Sequence, residues 1–288
     1  MLRRYTMAMP IQLIAMDIDG TLLDSRSQLP PRNAKAIAEA AARGIEIVIV
    51  TGRRFDSAKL IAEQLSCATK LIVSNGALVK SISGQTHLRT LLPTETARRI
   101  LDATDEFRPM SAVIFDRPTG GQLVFESVDW EGPFVGPYLK RHRHHVMEIA
   151  PLANCLNGED PIEVMFIGEC APVRVAVNRL ESLYFRGDYT LALTEYPATG
   201  FSFLDVLQRG VTKGSALAAW CATRGIAREN VMAIGDNWND REMLEYAGLP
   251  IVMGNSIPEL HSAGWEATLS NDECGVAEAI RRHALRRL

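Results

Sequence analysis

The sequence predicts an α/β protein built on a doubly wound, mostly parallel sheet of the Rossmann-like type, with an α+β module inserted into it. Apolar strand-like runs alternate with helix-like stretches in the first third of the chain, and the alternation returns after about residue 200. This rhythm is typical of parallel sheets with right-handed crossovers. Between these two regions the strand-like runs are shorter and come in pairs, which favours a separate module.

The first third contains three predicted strands and two predicted helices in the order βαβαβ. The strands are the apolar runs "IQLIAMDI", "IEIVIVTGR" and "KLIVSNGA". The β-branched second run is typical of a strand that is buried on both faces. Pro30 and Pro31 precede an alanine-rich helix that ends at Gly44, and "FDSAKLIAEQL" forms the second helix.

Residues 84–199 are predicted to form the inserted module. The runs "SAVIFD" and "QLVFES" flank "RPTGG", a pattern that predicts a hairpin. The predicted helices are "PTETARRILDATDEF" and "APVRVAVNRLESLY", and further predicted strands are "IEVMFIG" and "YTLALTEY". These limits leave residues 10–83 and 200–288 for the first module.

The last third returns to the alternation of the first module. The strand-like runs "FSFLDVL", "NVMAIGD" and "LPIVMG" alternate with the helix-like stretches "TKGSALAAWCATRG" and "NDREMLEYA". The stretch "GVAEAIRRHALRRL" is predicted to form a terminal helix.

Composition excludes several classes of protein. A net charge of -3 provides neither a basic field for nucleic acid nor a polybasic membrane signal. No apolar stretch reaches the roughly 18 to 20 residues of a membrane span. The five cysteines are widely spaced and form no CxxC, so we expect no disulfide or zinc framework. We therefore expect a cytoplasmic protein, with residues 1–9 as a loose leader and Arg141–His145 ("RHRHH") as a solvated helix end or loop.

Four polar clusters, "DIDGT", "TGR", "SNG" and "GDNWND", fall at the predicted carboxyl ends of strands. Functional sites of open α/β sheets collect there. Residues two apart point to the same side of a strand, so Asp17 and Asp19 should face one rim, with Gly20 permitting a sharp turn. Adjacent carboxylates repel, and one pKa rises unless a cation neutralises them. With Asp236 as a third carboxylate, the pattern predicts a Mg²⁺ site.

A phosphate dianion is the ligand that this charge pattern favours. Lys213 supplies positive charge, while Thr51 and the backbone amides of Gly52 and Arg53 can hydrogen-bond phosphate oxygens. A carboxylate that is ionised at neutral pH attacks phosphorus without a base and gives an acyl phosphate. A second carboxylic acid protonates the leaving alkoxide and later takes a proton from water. The paired aspartates are predicted to divide these two tasks.

The motifs "DIDGTLL", "VIVTGR", "SNGA", "GVTKGSAL" and "GDNWND", in this order, resemble those of the haloacid dehalogenase superfamily, specifically its Cof-type phosphatases. The resemblance covers roughly residues 11–82 and 200–280, and it implies that the inserted module is a cap domain that selects the substrate. It also implies that Asp17 is the nucleophile and that Asp19 is the general acid and base.

The resemblance implies the ligand-binding residues as well. Mg²⁺ would be bound by Asp17, Asp236 and the main-chain carbonyl of Asp19. Asp240 would orient Lys213 or a metal-bound water without itself binding the metal. The implied phosphate-binding residues are Ile18, Thr51, Gly52, Lys213 and Asn239.

Several alternatives stay open at this point. Arg53 contacts either the substrate or a neighbouring carboxylate, and Asn75 either lies near the leaving group or forms a turn beside Gly76. The predicted function is a Mg²⁺-dependent phosphatase for small phosphorylated metabolites, sugar phosphates among them. A phosphomutase with the same core and a non-catalytic phosphate-responsive binding module are the alternatives. The sequence identifies neither the physiological substrate nor the oligomeric state.

Overall fold

The structure is a computed structural model that describes residues 11–133, 135–196 and 199–285. The described chain divides into two units. The first unit comprises the residues up to Arg89 and those from Thr212 onward, and the second comprises Thr90–Val211. The expectation for residues 1–9 lies outside the described residues.

The first unit contains an eight-stranded sheet. Its strands, with labels that follow the order of the whole chain, are β1 (Leu13–Met16), β2 (Glu46–Val50), β3 (Thr69–Val73), β4 (Leu78–Ser81), β5 (Thr86–Arg89), β12 (Val231–Gly235), β13 (Leu249–Val252) and β14 (Glu266–Ala267). Their spatial order is β14-β13-β12-β1-β2-β3-β4-β5. The strands from β14 to β3 are parallel, whereas β4 and β5 pair antiparallel. The prediction of a mostly parallel α/β sheet is confirmed.

Local sequence explains where the main elements of this unit begin and end. Its helices are α1 (Pro31–Ala42), α2 (Phe55–Ala62), α6 (Lys213–Arg224), α7 (Arg241–Tyr246), α8 (Pro258–His261) and α9 (Gly275–His283). All residues of β1 are buried, as expected for a strand covered on both faces. The side chain of Thr212 caps α6 by accepting a hydrogen bond from the Ser215 amide, which fixes the start of that helix.

The second unit contains a six-stranded, mostly antiparallel sheet. Its strands are β6 (Ser111–Ile114), β7 (Leu123–Phe125), β8 (Val146–Glu148), β9 (Glu163–Glu169), β10 (Tyr189–Tyr196) and β11 (Phe201–Gln208), and its helices are α3 (Thr94–Ala103), α4 (Gly136–Arg141) and α5 (Cys170–Glu181). The spatial order of the strands is β10-β11-β9-β6-β7-β8. The predicted hairpin is the antiparallel pair β6 and β7. Buried residues of α3, α5 and one sheet face, including Ile100, Phe166 and Leu180, form a core within this unit.

The junctions between the two units differ from the predicted ones. The run "FSFLDVL" forms β11, which pairs with β9 and β10 in the second sheet, so its assignment to the first sheet is wrong. At the other junction, Thr86–Arg89 lies in the first sheet rather than in the inserted module. A strand pattern reports burial but does not name the pairing partner. The short connection of residues 197–200 between β10 and β11 favoured a hairpin instead.

The "RHRHH" cluster follows the short helix of the second unit. Helix α4 ends at Arg141, and Arg143–His145 forms a single 3₁₀ turn. This placement agrees with the expected helix end. Over the described residues, every helix is either too short or too polar to span a membrane.

Candidate active site

Four polar segments of the first unit lie at the carboxyl ends of four neighbouring strands. Asp236 follows β12, Asp17 follows β1, Thr51 follows β2 and Ser74 follows β3. These strands are adjacent in the order β12-β1-β2-β3. Lys213 is the first residue of α6 and reaches the same edge. The sheet therefore brings together segments that are more than 200 residues apart in the chain.

Lys213 is the centre of a buried ion cluster. Its ammonium nitrogen donates to Asp17 Oδ1 at 2.7 Å and to Asp240 Oδ1 at 2.6 Å. The lysine is 1% exposed and Asp240 is fully buried. Lysine is rarely buried to this extent unless it is paired, so the two carboxylates account for its position.

The cluster contains more negative than positive charge. Carboxylate oxygens of Asp17, Asp236 and Asp240 lie within 4.8 Å of one another. Burial raises the pKa of Asp17 to about 7, although the attraction of Lys213 opposes this shift. Burial, together with repulsion from Asp240 and Asp17, raises the pKa of Asp236 well above its ordinary value. Burial alone would lower the pKa of Lys213, but the attraction of the carboxylates outweighs it and raises that pKa.

Three buried carboxylates beside one lysine fit a divalent cation. Among the described residues, no hydrogen-bond donor reaches Oδ2 of Asp17 or Oδ2 of Asp236, whereas the Thr21 hydroxyl donates to Asp236 Oδ1 at 2.6 Å. A Cβ on Gly20, which has a φ of 81°, would overlap the Asp236 carboxylate. Glycine thus keeps space beside the Asp236 carboxylate. Carboxylate oxygens are the ligands that hard cations prefer.

Asp240 plays a different part in the geometry from the other two carboxylates. Its Oδ1 accepts from Lys213, and its Oδ2 accepts from the backbone amides of Asp236 and Asn237 at 2.9 and 3.0 Å. Both oxygens are therefore engaged by the protein. The role predicted for Asp240, to orient Lys213 or a metal-bound water, stays a prediction, and the contact that the structure shows is the one with Lys213.

Asp19 forms a separate ion pair with Arg53. Arg53 Nε donates to Asp19 Oδ2 at 2.7 Å, and Nη2 donates to Oδ1 at 2.6 Å. The two side chains are 28% and 27% exposed. Of the two interpretations of Arg53, the structure shows the contact with a neighbouring carboxylate. A bidentate pair of this kind fixes both oxygens of Asp19.

Asp17 and Asp19 were predicted to face one rim because residues two apart point to the same side of a strand, and this reason is wrong. Strand β1 ends at Met16, so the two aspartates do not share a strand face. Asp17 is still extended, but residues 18–22 form a single wide turn, within which the backbone is extended at Asp19 and left-handed at Gly20. Because the chain leaves the strand directly after Met16, the two carboxylates have different partners: Asp17 accepts from Lys213, and Asp19 accepts from Arg53.

The segment "TGR", which was predicted to bind phosphate, forms a turn that is closed by an internal hydrogen bond. Thr51 is 1% exposed, and its hydroxyl accepts a hydrogen bond from the Arg53 amide at 3.1 Å. That amide is therefore used inside the loop and not held out for phosphate, which corrects its predicted role. The hydroxyl hydrogen of Thr51 points elsewhere, since the oxygen acts here as an acceptor. Ile18 is fully buried, so only its backbone could reach a ligand.

The remaining two predicted residues contact each other. Asn239 Nδ2 donates to Asn75 Oδ1 at 3.1 Å. Asn75 is 1% exposed and lies in the turn after β3 beside Gly76. Asn75 thus lies in a turn beside Gly76, and its side chain also contacts the segment "GDNWND".

Residues that sequence reasoning missed fix the loop after Asp17. Besides Thr21, Asn255 donates to the Gly20 carbonyl at 2.8 Å, and Asn271 donates to the Leu23 carbonyl at 2.9 Å. The Asn271 amide in turn donates to Asn255 Oδ1. Thr21 is part of "DIDGT", which could have indicated it. The two asparagines lie in loops without a distinguishing pattern.

Comparison with known proteins identifies the family of this chain. The family model for haloacid dehalogenase-like hydrolases matches residues 14–280. The 5-amino-6-(5-phospho-D-ribitylamino)uracil phosphatase YcsE of Bacillus subtilis is 30% identical over 275 residues, covering 96% of this chain and 96% of its own. The pyridoxal phosphate phosphatase YbhA of Escherichia coli is 26% identical and covers 96% of this chain and 100% of its own.

A solved structure shows the same fold. A haloacid dehalogenase-like hydrolase from Bacteroides thetaiotaomicron aligns with a TM-score of 0.78 at 24% identity, over 94% of this chain and 99% of that one. The family model and the B. subtilis relative both span nearly the whole described chain. On these grounds the chain belongs to the haloacid dehalogenase-like hydrolases.

Proposed function

We propose that this protein is a Mg²⁺-dependent phosphatase that hydrolyses small phosphorylated metabolites, sugar phosphates among them, through an aspartyl-phosphate intermediate. The observation that carries the proposal is the buried cluster of Asp17, Asp236 and Lys213 beside the ion pair of Asp19 with Arg53. The names of curated relatives, which include phosphatases for a ribitylaminouracil phosphate and for pyridoxal phosphate, support the reaction class.

The proposed reaction has two steps. Asp17 attacks phosphorus through a carboxylate oxygen, and the bond from phosphorus to the leaving oxygen breaks. Asp19, which would have to leave Arg53 and take up a proton before this step, gives that oxygen its proton. A water molecule then attacks the aspartyl phosphate while Asp19 takes its proton, which releases phosphate and restores Asp17. Lys213 stabilises negative charge on the phosphoryl oxygens. The same phosphoryl oxygens would also be bound by Thr51, Gly52, Asn239 and the backbone of Ile18.

Asp17, Asp236 and the main-chain carbonyl of Asp19 would hold the Mg²⁺ ion. The bound ion would neutralise the excess negative charge of the cluster and polarise a phosphate oxygen. Opposite charge nearby lowers the pKa of a carboxyl group, so Asp17 would be ionised when the ion is present. Selection of the leaving group by the second unit, in the manner of a cap, stays a prediction.

Mg²⁺ is expected to raise the melting temperature of the protein more at about pH 8 than at about pH 5.5. The raised pKa of Asp17, about 7, exceeds its ordinary value, so the folded protein binds the proton more tightly than the unfolded chain. Without metal, this group therefore lowers the free energy of unfolding as the pH rises toward 7. The cation binds the ionised carboxylates and offsets that loss. Scanning fluorimetry with and without Mg²⁺ measures the effect.

Asp236→Asn is the variant that should abolish the response to Mg²⁺. It keeps the shape of the side chain and the acceptor for Thr21 but removes the charge. Asp24→Asn, in a loop whose carboxylate accepts from Arg26 and Gln28, is the matched control and should respond like the wild type. Equal temperature shifts at both pH values, or a full response in Asp236→Asn, would contradict the proposed metal site.

The direct test of the function is phosphate release. The purified protein should release phosphate from an aryl phosphate over many turnovers when Mg²⁺ is present, and a non-catalytic binding module would not. A hexose 1-phosphate separates the hydrolase from a phosphomutase, because the mutase would give an isomerised sugar phosphate and not free phosphate. A panel of sugar phosphates and heterocyclic phosphate esters, compared by kcat/KM, would identify the substrate class.

A further inference from the structure

The turn between β3 and β4 has an unusual backbone. Its three residues, Ser74, Asn75 and Gly76, all have positive φ values, of 49°, 51° and 108°. The two non-glycine residues are 0% and 1% exposed. Left-handed backbone costs a non-glycine residue of the order of 1 kcal/mol, and such conformations persist where the surrounding structure holds them. Two in succession, buried at the edge of a candidate active site, indicate that the position of this turn matters.

The turn contacts two loops of the candidate site. The backbone N–H of Asn75 donates to the Thr51 carbonyl at 3.1 Å, and the side-chain Oδ1 of Asn75 accepts from Asn239 Nδ2 at 3.1 Å. The same side-chain amide lies 3.1 Å from the position that a Cβ on Gly52 would occupy. Asn75 therefore bridges the loop "TGR" to the loop "GDNWND".

The turn also packs against the helix that carries Lys213. A Cβ on Gly76 would overlap the carbonyl of Thr212, the capping residue immediately before that lysine. This close approach requires glycine at position 76. The turn thus lies against three of the segments that surround the proposed phosphate position, and Asn75 is its one long side chain.

We infer that Asn75 is a positioning residue, which sets the direction of the Asn239 amide and the place of the Gly52 backbone so that both can bind the phosphate group. This inference rests on the proposed function. The hydrogen bond to Asn75 holds the Asn239 side chain in one orientation before phosphate binds. A preorganised donor binds an anion without first losing rotational freedom, so loss of Asn75 weakens phosphate binding.

The test uses Asn75→Gly, because glycine accepts the left-handed backbone and removes only the amide side chain. We expect the KM for an aryl phosphate and the inhibition constant of inorganic phosphate to rise about tenfold, with kcat changed less than about threefold, as for loss of binding shared by substrate and transition state. Asn239→Ala should show a similar loss. The rise in KM of the double variant should be smaller than the product of the two single rises, because both substitutions remove the contact between Asn75 and Asn239.

Two further variants separate positioning from backbone effects. Asn75→Ala should match the kinetics of Asn75→Gly but melt at a lower temperature, since alanine is strained at a φ of 51°. Ser27→Gly is the matched control, because Ser27 is exposed and also left-handed, with a φ of 58°. It should leave KM and phosphate inhibition unchanged.

Two results would overturn the inference. If Asn75→Gly changes neither KM nor phosphate inhibition, the turn is purely structural. If the effects of Asn75→Gly and Asn239→Ala multiply in the double variant, Asn75 acts independently of Asn239. Calorimetry with inorganic phosphate and Mg²⁺ keeps this test apart from that of the proposed function. Phosphate binding that depends on Asn75 in a protein without turnover would refute the phosphatase and leave the positioning role standing.

Discussion

Asp17→Asn is expected to lower kcat for phosphate release by about a thousandfold or more, the scale of losses seen when a nucleophile is removed. Asparagine keeps the size of the side chain and can still accept from Lys213, but its amide oxygen is a poor nucleophile toward phosphorus. The substitution therefore isolates the covalent step. Steady-state assays with an aryl phosphate measure kcat, and acid-quenched protein tests for a covalently bound phosphoryl group.

The same variant should remain folded. Because burial raises the pKa of Asp17 to about 7, its ionised form costs stability in the metal-free protein, and a neutral amide removes that cost. At about pH 8 without metal, the free energy of unfolding of Asp17→Asn should equal or exceed that of the wild type. Asp24→Asn should keep activity within about threefold. Near-normal turnover by Asp17→Asn would contradict the covalent mechanism.

The sequence indicated which polar segments lie at the carboxyl edge of the sheet, because each of these short motifs directly follows an apolar strand. Asp17, Thr51, Asn75, Lys213 and Asp236 come from distant parts of the chain. The order of the strands and the start of α6 at the same edge bring them together. The side-chain ion pairs within the site were harder to predict from the sequence. From the sequence alone, Arg53 could pair with any of several carboxylates. Its partner is Asp19, because the chain leaves the strand after Met16.

The errors at the unit junctions have a related cause. Periodicity reports which faces of a strand are buried, but Phe201–Gln208 is an apolar strand that either sheet could accept. In the structure this strand pairs antiparallel with β10 and with β9. Likewise, Asn255 and Asn271 hold the loop after Asp17 through backbone carbonyls, and such contacts leave no pattern in the sequence.

Lys213→Met is expected to lower the free energy of unfolding by about 3–5 kcal/mol at about pH 8, because removal of one partner leaves buried carboxylates without their cation. Methionine fills a similar volume, so the loss reflects charge and not a cavity. The effect should shrink toward about pH 5.5, where Asp17, whose pKa is raised to about 7, takes up a proton. Urea unfolding at the two pH values measures the difference.

A second substitution distinguishes charge from packing in this variant. Adding Asp17→Asn to Lys213→Met removes one of the stranded carboxylates, so the double variant should recover part of the lost stability at about pH 8. Lys59→Met, which breaks an exposed pair with Glu63, is the matched control and should cost less than about 0.5 kcal/mol. If Lys213→Met were as stable as the wild type at about pH 8, or if the double variant were less stable than Lys213→Met, the buried lysine would not be neutralising these carboxylates. The same result would remove the electrostatic basis for a cation and a phosphate at this edge of the sheet.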